Sequence, residues 1–179
     1  MKMEDINYDD FKVTTPYPKV AVTSRDPVTS KRIRDAYVGG EGEMTAINQY
    51  IYQSFITNPN EVTKHMAHLL MEIAEVEMHH LSILSQILAQ MGTDPKFCTF
   101  IDNNPKVCNY WTAHNVNYEN DIPAFLKYDI KIEHDAIREY QSIRDMAEDP
   151  NIKEVIGRII EDEESHINLF NAMLAAVQG

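Results

Sequence analysis

Two segments of the chain each place a glutamate three residues before a histidine: Glu77 with His80, and Glu163 with His166. Both pairs lie in apolar stripes that repeat about every 3.6 residues, so on α-helices the paired side chains share a face with the apolar residues. That face is the predicted core. Because a buried carboxylate is costly unless it is paired or bound to a metal, the two pairs indicate a dinuclear metal site inside a helical bundle.

Two further glutamates complete a repeated pattern. Glu43 and Glu133 each precede a tyrosine by seven residues, Tyr50 and Tyr140 respectively. A single Glu-x-x-His pair is common on solvated helices. One glutamate from each of two helices, with such a pair from each of two others, is the ligand inventory of ferritin-like dinuclear sites. The predicted metal ligands are Glu43, Glu77, His80, Glu133, Glu163 and His166.

Three more residues are candidates to support these ligands. Tyr50 and Tyr140 share helix faces with the isolated glutamates, and their hydroxyls either hydrogen-bond the ligands or satisfy other core groups. Asp129 lies one turn before Glu133. It either orients a ligand histidine through the second ring nitrogen or lies at the surface. The residues alone leave these alternatives open.

Turn and cap signals divide the chain into elements. Residues 1–28 contain three prolines and no helical period, which predicts an extended arm. Residues 93–120 are irregular and predict a long crossover. Asn60 and Asp149 are expected to cap helices, and Glu61 to lie in a first turn. The four predicted helices cover residues 30–56, 61–91, 121–147 and 150 to almost 179.

This order of elements predicts an all-α fold: a ferritin-like four-helix bundle with one long crossover. The short connections pair the first helix with the second and the third with the fourth. The predicted domains are the arm, residues 1–28, and a dinuclear-metal bundle, residues 29–179.

Composition and charge exclude several classes of partner. The net charge of −12 argues against nucleic acids and anionic membranes as partners. The sequence contains no run of about 18 apolar residues, so no membrane span is predicted. Residues 1–12 show no secretory signal, so a cytoplasmic location is expected. Cys98 and Cys108 form no Cys-x-x-Cys pair. We expect free thiols, with a disulfide left open.

The segments around these ligands resemble known families. Residues 43–50 resemble the first helix of bacterioferritins, and residues 162–167 resemble their fourth helix. A longer resemblance, over residues 37–175, is to manganese catalases. It is carried by Ile73 to His80, by the Tyr110-Trp111-Thr112 stretch that ends at Tyr118, and by Asp121 to Leu174 with Asp129, Glu133, Asp149-Pro150 and His166.

The catalase resemblance implies two manganese ions that alternate between Mn(II) and Mn(III) while hydrogen peroxide is disproportionated. It implies Glu43, Glu77, His80, Glu133 and His166 as metal ligands, with Glu163 as a proton shuttle beside them. In ferritin-like di-iron proteins the residue that matches Glu163 is itself a ligand. Manganese catalases also carry a C-terminal extension, whereas this sequence ends with its fourth predicted helix.

Three functions follow as hypotheses. The first is a manganese catalase-like enzyme that acts on hydrogen peroxide. The second is a di-iron peroxidase or ferroxidase of rubrerythrin or bacterioferritin type, which acts on peroxide or dioxygen and needs an outside reductant or ferrous iron. The third is a coat-like structural protein with a metal site. Carboxylate and imidazole ligands suit both manganese and iron. In each case we expect a homo-oligomer, dimer or larger.

Overall fold

The computed structural model describes residues 2–60, 63–101 and 104–179. Its helices are α1 Pro27–Val38, α2 Glu43–Thr57, α3 Lys64–Gln90, α4 Ile122–Met146 and α5 Pro150–Gln178, and its strands are β1 Cys98–Ile101 and β2 Asn104–Tyr110. Helix α2 packs along α3 and α4 along α5, and the short helix α1 contacts both α3 and α4. The predicted all-α four-helix bundle is therefore confirmed.

The starts of α4 and α5 agree with the sequence prediction because local chemistry sets them. The carboxylate of Asp121 accepts a hydrogen bond from the backbone N–H of Ala124 at 3.0 Å. Asp149 accepts one from Asn151 at 2.9 Å, and Pro150 follows it as the first helical residue. An aspartate cap and an early proline together define a helix start without help from distant residues.

The single helix predicted for residues 30–56 is wrong: the chain breaks into α1 and α2 at residues 39–42. The break needs glycine because backbone passes close to backbone. A Cβ atom on Gly39 would lie 2.3 Å from the carbonyl oxygen of Asp35, and one on Gly42 equally close to that of Ala36. The break makes Glu43 the first residue of α2.

The connection between α2 and α3 also differs from the prediction. Helix α3 begins at Lys64, after Thr63, rather than directly after Asn60, while Glu61 lies outside the described residues. The Thr63 hydroxyl donates to the carbonyl of Thr57 at 2.7 Å. This bond closes the turn onto the end of α2, so helical geometry starts later than the sequence signals indicate.

The crossover predicted as irregular contains an antiparallel hairpin, β1 with β2. Beyond the hairpin, the indole N–H of Trp111 donates to the Thr45 hydroxyl at 2.9 Å. The backbone N–H of Asn117 donates to the side-chain carbonyl of Gln49 at 3.1 Å. Both contacts tie the crossover to α2, the helix that carries the first candidate ligand.

The N-terminal arm lies against the bundle. The backbone N–H and hydroxyl of Thr23 both donate to Asp149, at 2.6 and 2.8 Å. Asn151 accepts a hydrogen bond from Ala21 at 2.6 Å. Because α5 and its cap supply partners for backbone groups at residues 21 and 23, this part of the arm can stay extended. Nearer the N-terminus the predicted extended arm instead forms two short 3-10 helices, Met3–Asp5 and Tyr8–Asp10.

Among the helices of the described residues, none combines the length and the apolar character of a membrane-spanning helix.

Two apolar cores fill the bundle. One joins α1 to the C-terminal part of α3, with Ile33 and Leu84 among its buried residues. The other joins α2 to the C-terminal part of α5, with Tyr50 and Phe170. The predicted ligands come from the stretches of α2–α5 between these cores.

Candidate metal centre

The structure brings all six predicted ligands together in two overlapping groups. Within each group, one side-chain oxygen or nitrogen of every residue lies within 4.8 Å of the others. All six residues are buried, and Glu77 and Glu163 belong to both groups. The first group is Glu43, Glu77, His80 and Glu163, and the second is Glu77, Glu133, Glu163 and His166.

The two shared glutamates each present one oxygen to each histidine. Nδ1 of His80 lies 2.8 Å from Oε2 of Glu77 and 3.2 Å from Oε1 of Glu163. Nδ1 of His166 lies 3.0 Å from Oε1 of Glu77 and 3.0 Å from Oε2 of Glu163. A carboxylate with its oxygens divided between two sites has the geometry of a bridging ligand. Both histidines turn the same nitrogen inward.

Burial and crowding shift the pKa values of these groups in opposite directions. Burial raises the pKa of Glu43 and Glu133 well above the usual value, and neighbouring carboxylates add to the effect. Burial also acts to raise the pKa of Glu77, but His166 and His80 outweigh it, so the pKa falls. Four carboxylates in one buried cluster therefore favour added positive charge, whether protons or metal ions.

The donor set fits two divalent metal ions. Oε1 of Glu77 is buried without a hydrogen-bond donor among the described residues, although Nδ1 of His166 lies 3.0 Å away. Buried polar atoms in proteins nearly always have a partner, so this oxygen is available as a ligand. Oxygen donors with one imidazole in each group suit manganese or iron.

The two candidate tyrosines each hydrogen-bond a glutamate from the opposite half of the bundle. Tyr50 on α2 donates to Glu133 on α4, and Tyr140 on α4 donates to Glu43 on α2. Both rings are buried. Of the two alternatives left open by the sequence, these contacts favour hydroxyls that hold metal ligands in place.

Among the described residues no hydrogen bond or ion pair joins Asp129 to a histidine, so its predicted orienting role is not supported. The carboxylate is buried and accepts hydrogen bonds from the side-chain amides of Gln49, at 2.7 Å, and Gln53, at 3.0 Å. Burial raises its pKa to about 7. Asp129 instead links α4 to α2, because two glutamines on α2 face it across the bundle.

Asp162, rather than Asp129, contacts the second ring nitrogen of a candidate ligand histidine. Its Oδ2 lies 3.0 Å from Nε2 of His80, 2.6 Å from Nη1 of Arg158 and 2.5 Å from the hydroxyl of Tyr17. Asp162 has no predicted role in the sequence. The signal for it was its position directly before Glu163, and nothing in the sequence pointed to Tyr17.

Two cavities reach the cluster from opposite sides. A cavity of about 450 Å³ is lined by all four glutamates, by Tyr50 and Tyr140, and towards its outer end by Thr99 and residues 39–42. A second cavity, of about 410 Å³, lies beneath the N-terminal arm and is lined by Tyr17, His79, Asp162 and His166. The first gives small molecules a route to the carboxylate side of the centre, and the second leads to the histidine side.

Comparison with known proteins identifies the family and the fold of the chain. A sequence profile of the rubrerythrin family matches residues 40–174. A probable manganese catalase from Clostridium acetobutylicum is 24% identical over 186 residues, which cover 89% of this chain and 76% of that protein.

Two solved structures share the fold. KatB, a manganese catalase from Anabaena, has a TM-score of 0.75 at 22% identity, over 93% of this chain and 80% of that one. A bacterioferritin from Desulfovibrio desulfuricans, described with a diiron site, has a TM-score of 0.67 at 18% identity, over 86% and 82%. The predicted ferritin-like fold is therefore confirmed. Because the family profile covers most of the sequence, the chain belongs to the rubrerythrin family.

Proposed function

We propose that the protein is a dinuclear-metal oxidoreductase that uses two manganese ions to convert hydrogen peroxide to water and oxygen. The observation that carries this proposal is the pair of overlapping ligand groups that share Glu77 and Glu163 at the inner end of a cavity. The likeness to manganese catalases supports manganese as the metal and peroxide as the substrate.

In this proposal each group would hold one ion. Glu77 would serve both ions, Glu43 with His80 and Glu133 with His166 would each serve one, and Glu163 stands beside both groups. The two ions would supply a two-electron redox couple and Lewis acidity towards peroxide. The chain holds the ligands rigidly, since Tyr50 and Tyr140 bind the two terminal glutamates from the opposite half of the bundle.

Glu163 is also our candidate for proton transfer. The residue lines the larger cavity, so its carboxylate lies on the side from which peroxide enters. A carboxylate next to the reacting atoms can take a proton from an incoming molecule and return it to the departing one. Ligand and shuttle are distinct roles, and the metal stoichiometry of Glu163→Gln tests which one Glu163 has.

A di-iron peroxidase or ferroxidase is the second candidate. It is favoured by the placement of Glu163, which faces both histidines at distances close to those of Glu77. Two equivalent bridging carboxylates leave no separate shuttle, and the bacterioferritin with a diiron site shares the fold. A coat-like role is less favoured, because buried carboxylates without a task cost stability. The cytoplasmic location and the homo-oligomer stay predictions.

Metal analysis with an oxygen-release assay tests the proposal. Protein purified from its native host should contain about two manganese ions per chain and release oxygen from hydrogen peroxide without added reductant. Glu163→Gln should abolish oxygen release, while Glu164→Gln, an exposed neighbour on the same helix, should retain it. Two iron ions per chain with reductant-dependent peroxide consumption would favour the second candidate, and no bound metal would refute both.

A further inference from the structure

The β1–β2 hairpin places both cysteines of the chain on one face. Cys98 is paired with Tyr110, and Phe100 with Cys108. Residues two apart on a strand point to the same side, so Cys98 and Cys108 are diagonal neighbours across the two strands. Diagonal side chains of an antiparallel pair lie within reach of each other. Both cysteines are free thiols in this structure.

The two thiols are near enough to influence each other. Burial raises the pKa of Cys98, and the neighbouring Cys108 raises it further. The strand register shifts between Phe100 and Ile101. Such an irregularity increases local twist, and among the described residues the sheet has no third strand. The two strands are therefore free to adjust towards the geometry that a bond between the sulfur atoms requires.

The surroundings give the two thiols different roles. Cys98 is fully buried, and its carbonyl accepts a hydrogen bond from the buried guanidinium of Arg34 at 2.9 Å. Cys108 is only half-buried, so it meets solutes first. Thr99, which follows Cys98, lines the cavity that leads to the four glutamates. The hairpin therefore borders the route proposed for peroxide with one face and carries the cysteine pair on the other.

We propose that Cys98 and Cys108 form a reversible intrachain disulfide when hydrogen peroxide oxidises them. The Cys108 thiolate attacks one peroxide oxygen, the O–O bond breaks, and a sulfenic acid and one water form. The Cys98 sulfur then displaces the sulfenic oxygen, which leaves as a second water when it takes up a proton. In sum, two thiols and one peroxide give one disulfide and two waters, a two-electron oxidation that an external dithiol can reverse.

The test uses the full-length protein, reduced, freed of reductant and exposed to a molar excess of hydrogen peroxide. We expect free thiols to fall from two per chain to near zero. The intact mass should fall by two hydrogen atoms, a proteolytic fragment should join Cys98 to Cys108, and dithiothreitol should restore both thiols. Cys108→Ser should leave the buried Cys98 thiol unreacted, and Cys98→Ser should form no intrachain link.

Three results would overturn the proposal: persistence of both thiols, stable oxidation of Cys108 with Cys98 still reduced, or a disulfide between chains. Oxygen release and metal content are recorded on the same samples. The same exposure is repeated on metal-depleted protein, which cannot consume the peroxide through the proposed metal chemistry, so failure of that chemistry and failure of the disulfide are told apart.

Discussion

His80 and His166 occupy matching positions in the two halves of the bundle, but among the described residues only His80 has partners at both ring nitrogens. Nδ1 of each histidine faces Glu77 and Glu163. On the outer side, Nε2 of His80 lies 3.0 Å from Oδ2 of Asp162. No hydrogen bond joins a described residue to Nε2 of His166, whose ring lines the cavity beneath the arm.

The difference has a simple origin in the sequence. Asp162 directly precedes Glu163, whereas the matching residue before Glu77 is Val76. A carboxylate behind a ligand histidine fixes the orientation and tautomer of the ring and raises its basicity. The two halves of the bundle thus share the same candidate ligands, but only one half has a carboxylate next to its histidine among the described residues. We expect the ion beside His80 to be held more firmly than the ion beside His166.

The support for His80 also extends to the N-terminal arm. The guanidinium of Arg158 stacks over the ring of Tyr17 at 4.2 Å, and its Nε donates to the carbonyl of Thr15 at 2.6 Å. Asp162 accepts from the Tyr17 hydroxyl and pairs with Arg158. Arm, α5 and metal ligand thus form one network on one side of the centre.

Removing a shared carboxylate should have the largest effect, because both metal-binding groups lose a ligand. Glu77→Gln is expected to weaken binding of both ions by roughly 100-fold or more, since a lost ligand costs more than a lost partner of a ligand. Metal content after dialysis against a chelator measures this. Glu75→Gln, an exposed glutamate on the same helix, is the matched control. Full retention of one ion would show that Glu77 serves only one half.

Asp162→Asn should weaken metal binding beside His80 and leave binding beside His166 unchanged. The amide keeps the size of the side chain but loses its charge, so we expect affinity for the ion beside His80 to fall roughly 10- to 100-fold. A manganese titration of metal-depleted protein should then show one weakened site and one little-changed site. Val76→Ala, at the matching position, is the control. Equal weakening of both ions would contradict the asymmetry.

Val76→Asp should strengthen metal binding beside His166, because it places a carboxylate near that histidine. Val76 and His166 line the same cavity. Release of the ion beside His166 to a chelator is expected to slow by up to about tenfold, the lower range for such partners. Val76→Asn controls for size. An unchanged release rate would mean that the missing carboxylate does not weaken this half.

Tyr17→Phe removes one hydrogen bond from Asp162 and leaves its contacts with His80 and Arg158 in place. A single hydrogen bond contributes on the order of 1 kcal/mol. We therefore expect the ion beside His80 to bind at most about fivefold more weakly, measured by the same titration. Tyr52→Phe, whose hydroxyl contacts only the carbonyl of Tyr118 among the described residues, should have no effect. A loss of affinity as large as that of Asp162→Asn would show that the arm contributes more to metal binding beside His80 than one hydrogen bond.

Asp129→Asn should affect the metal centre least and the pH dependence of stability most. Burial acts to raise the pKa of Asp162, but hydrogen bonds from His80 and Arg158 outweigh it and lower that pKa. Burial raises the pKa of Asp129 to about 7. Folded protein therefore keeps a proton that the unfolded chain has lost above about pH 4, and wild-type stability falls as the pH rises towards 7.

The asparagine variant cannot ionise, so this loss should vanish, and the difference from wild type should grow towards ~4 kcal/mol by pH 8. Urea unfolding at a series of pH values measures the free energy of unfolding of both proteins. Taking the difference at each pH cancels contributions common to both. A difference that does not vary with pH would show that Asp129 ionises normally in the folded state.

Local signals explain why parts of the fold were predictable. The caps Asp121 and Asp149 act on residues two or three positions away, so the starts of α4 and α5 follow from short stretches of sequence. The sequence does not predict the break between α1 and α2, because glycines within an apolar stripe weaken a helix without marking where it ends. The hairpin was missed too, since its strands pair with each other in an irregular segment.

The inventory of candidate ligands follows from the sequence alone. Residue type decides which side chains can bind metal, and the three-residue spacing within a helix puts Glu77 with His80 and Glu163 with His166 on one face whatever packs against it. The partners of those candidate ligands depend on the tertiary structure. Tyr17 and Asp162 are 145 residues apart, and Asp129 faces glutamines rather than a histidine. Such contacts depend on how helices and arm pack, and helical periodicity carries no information about that.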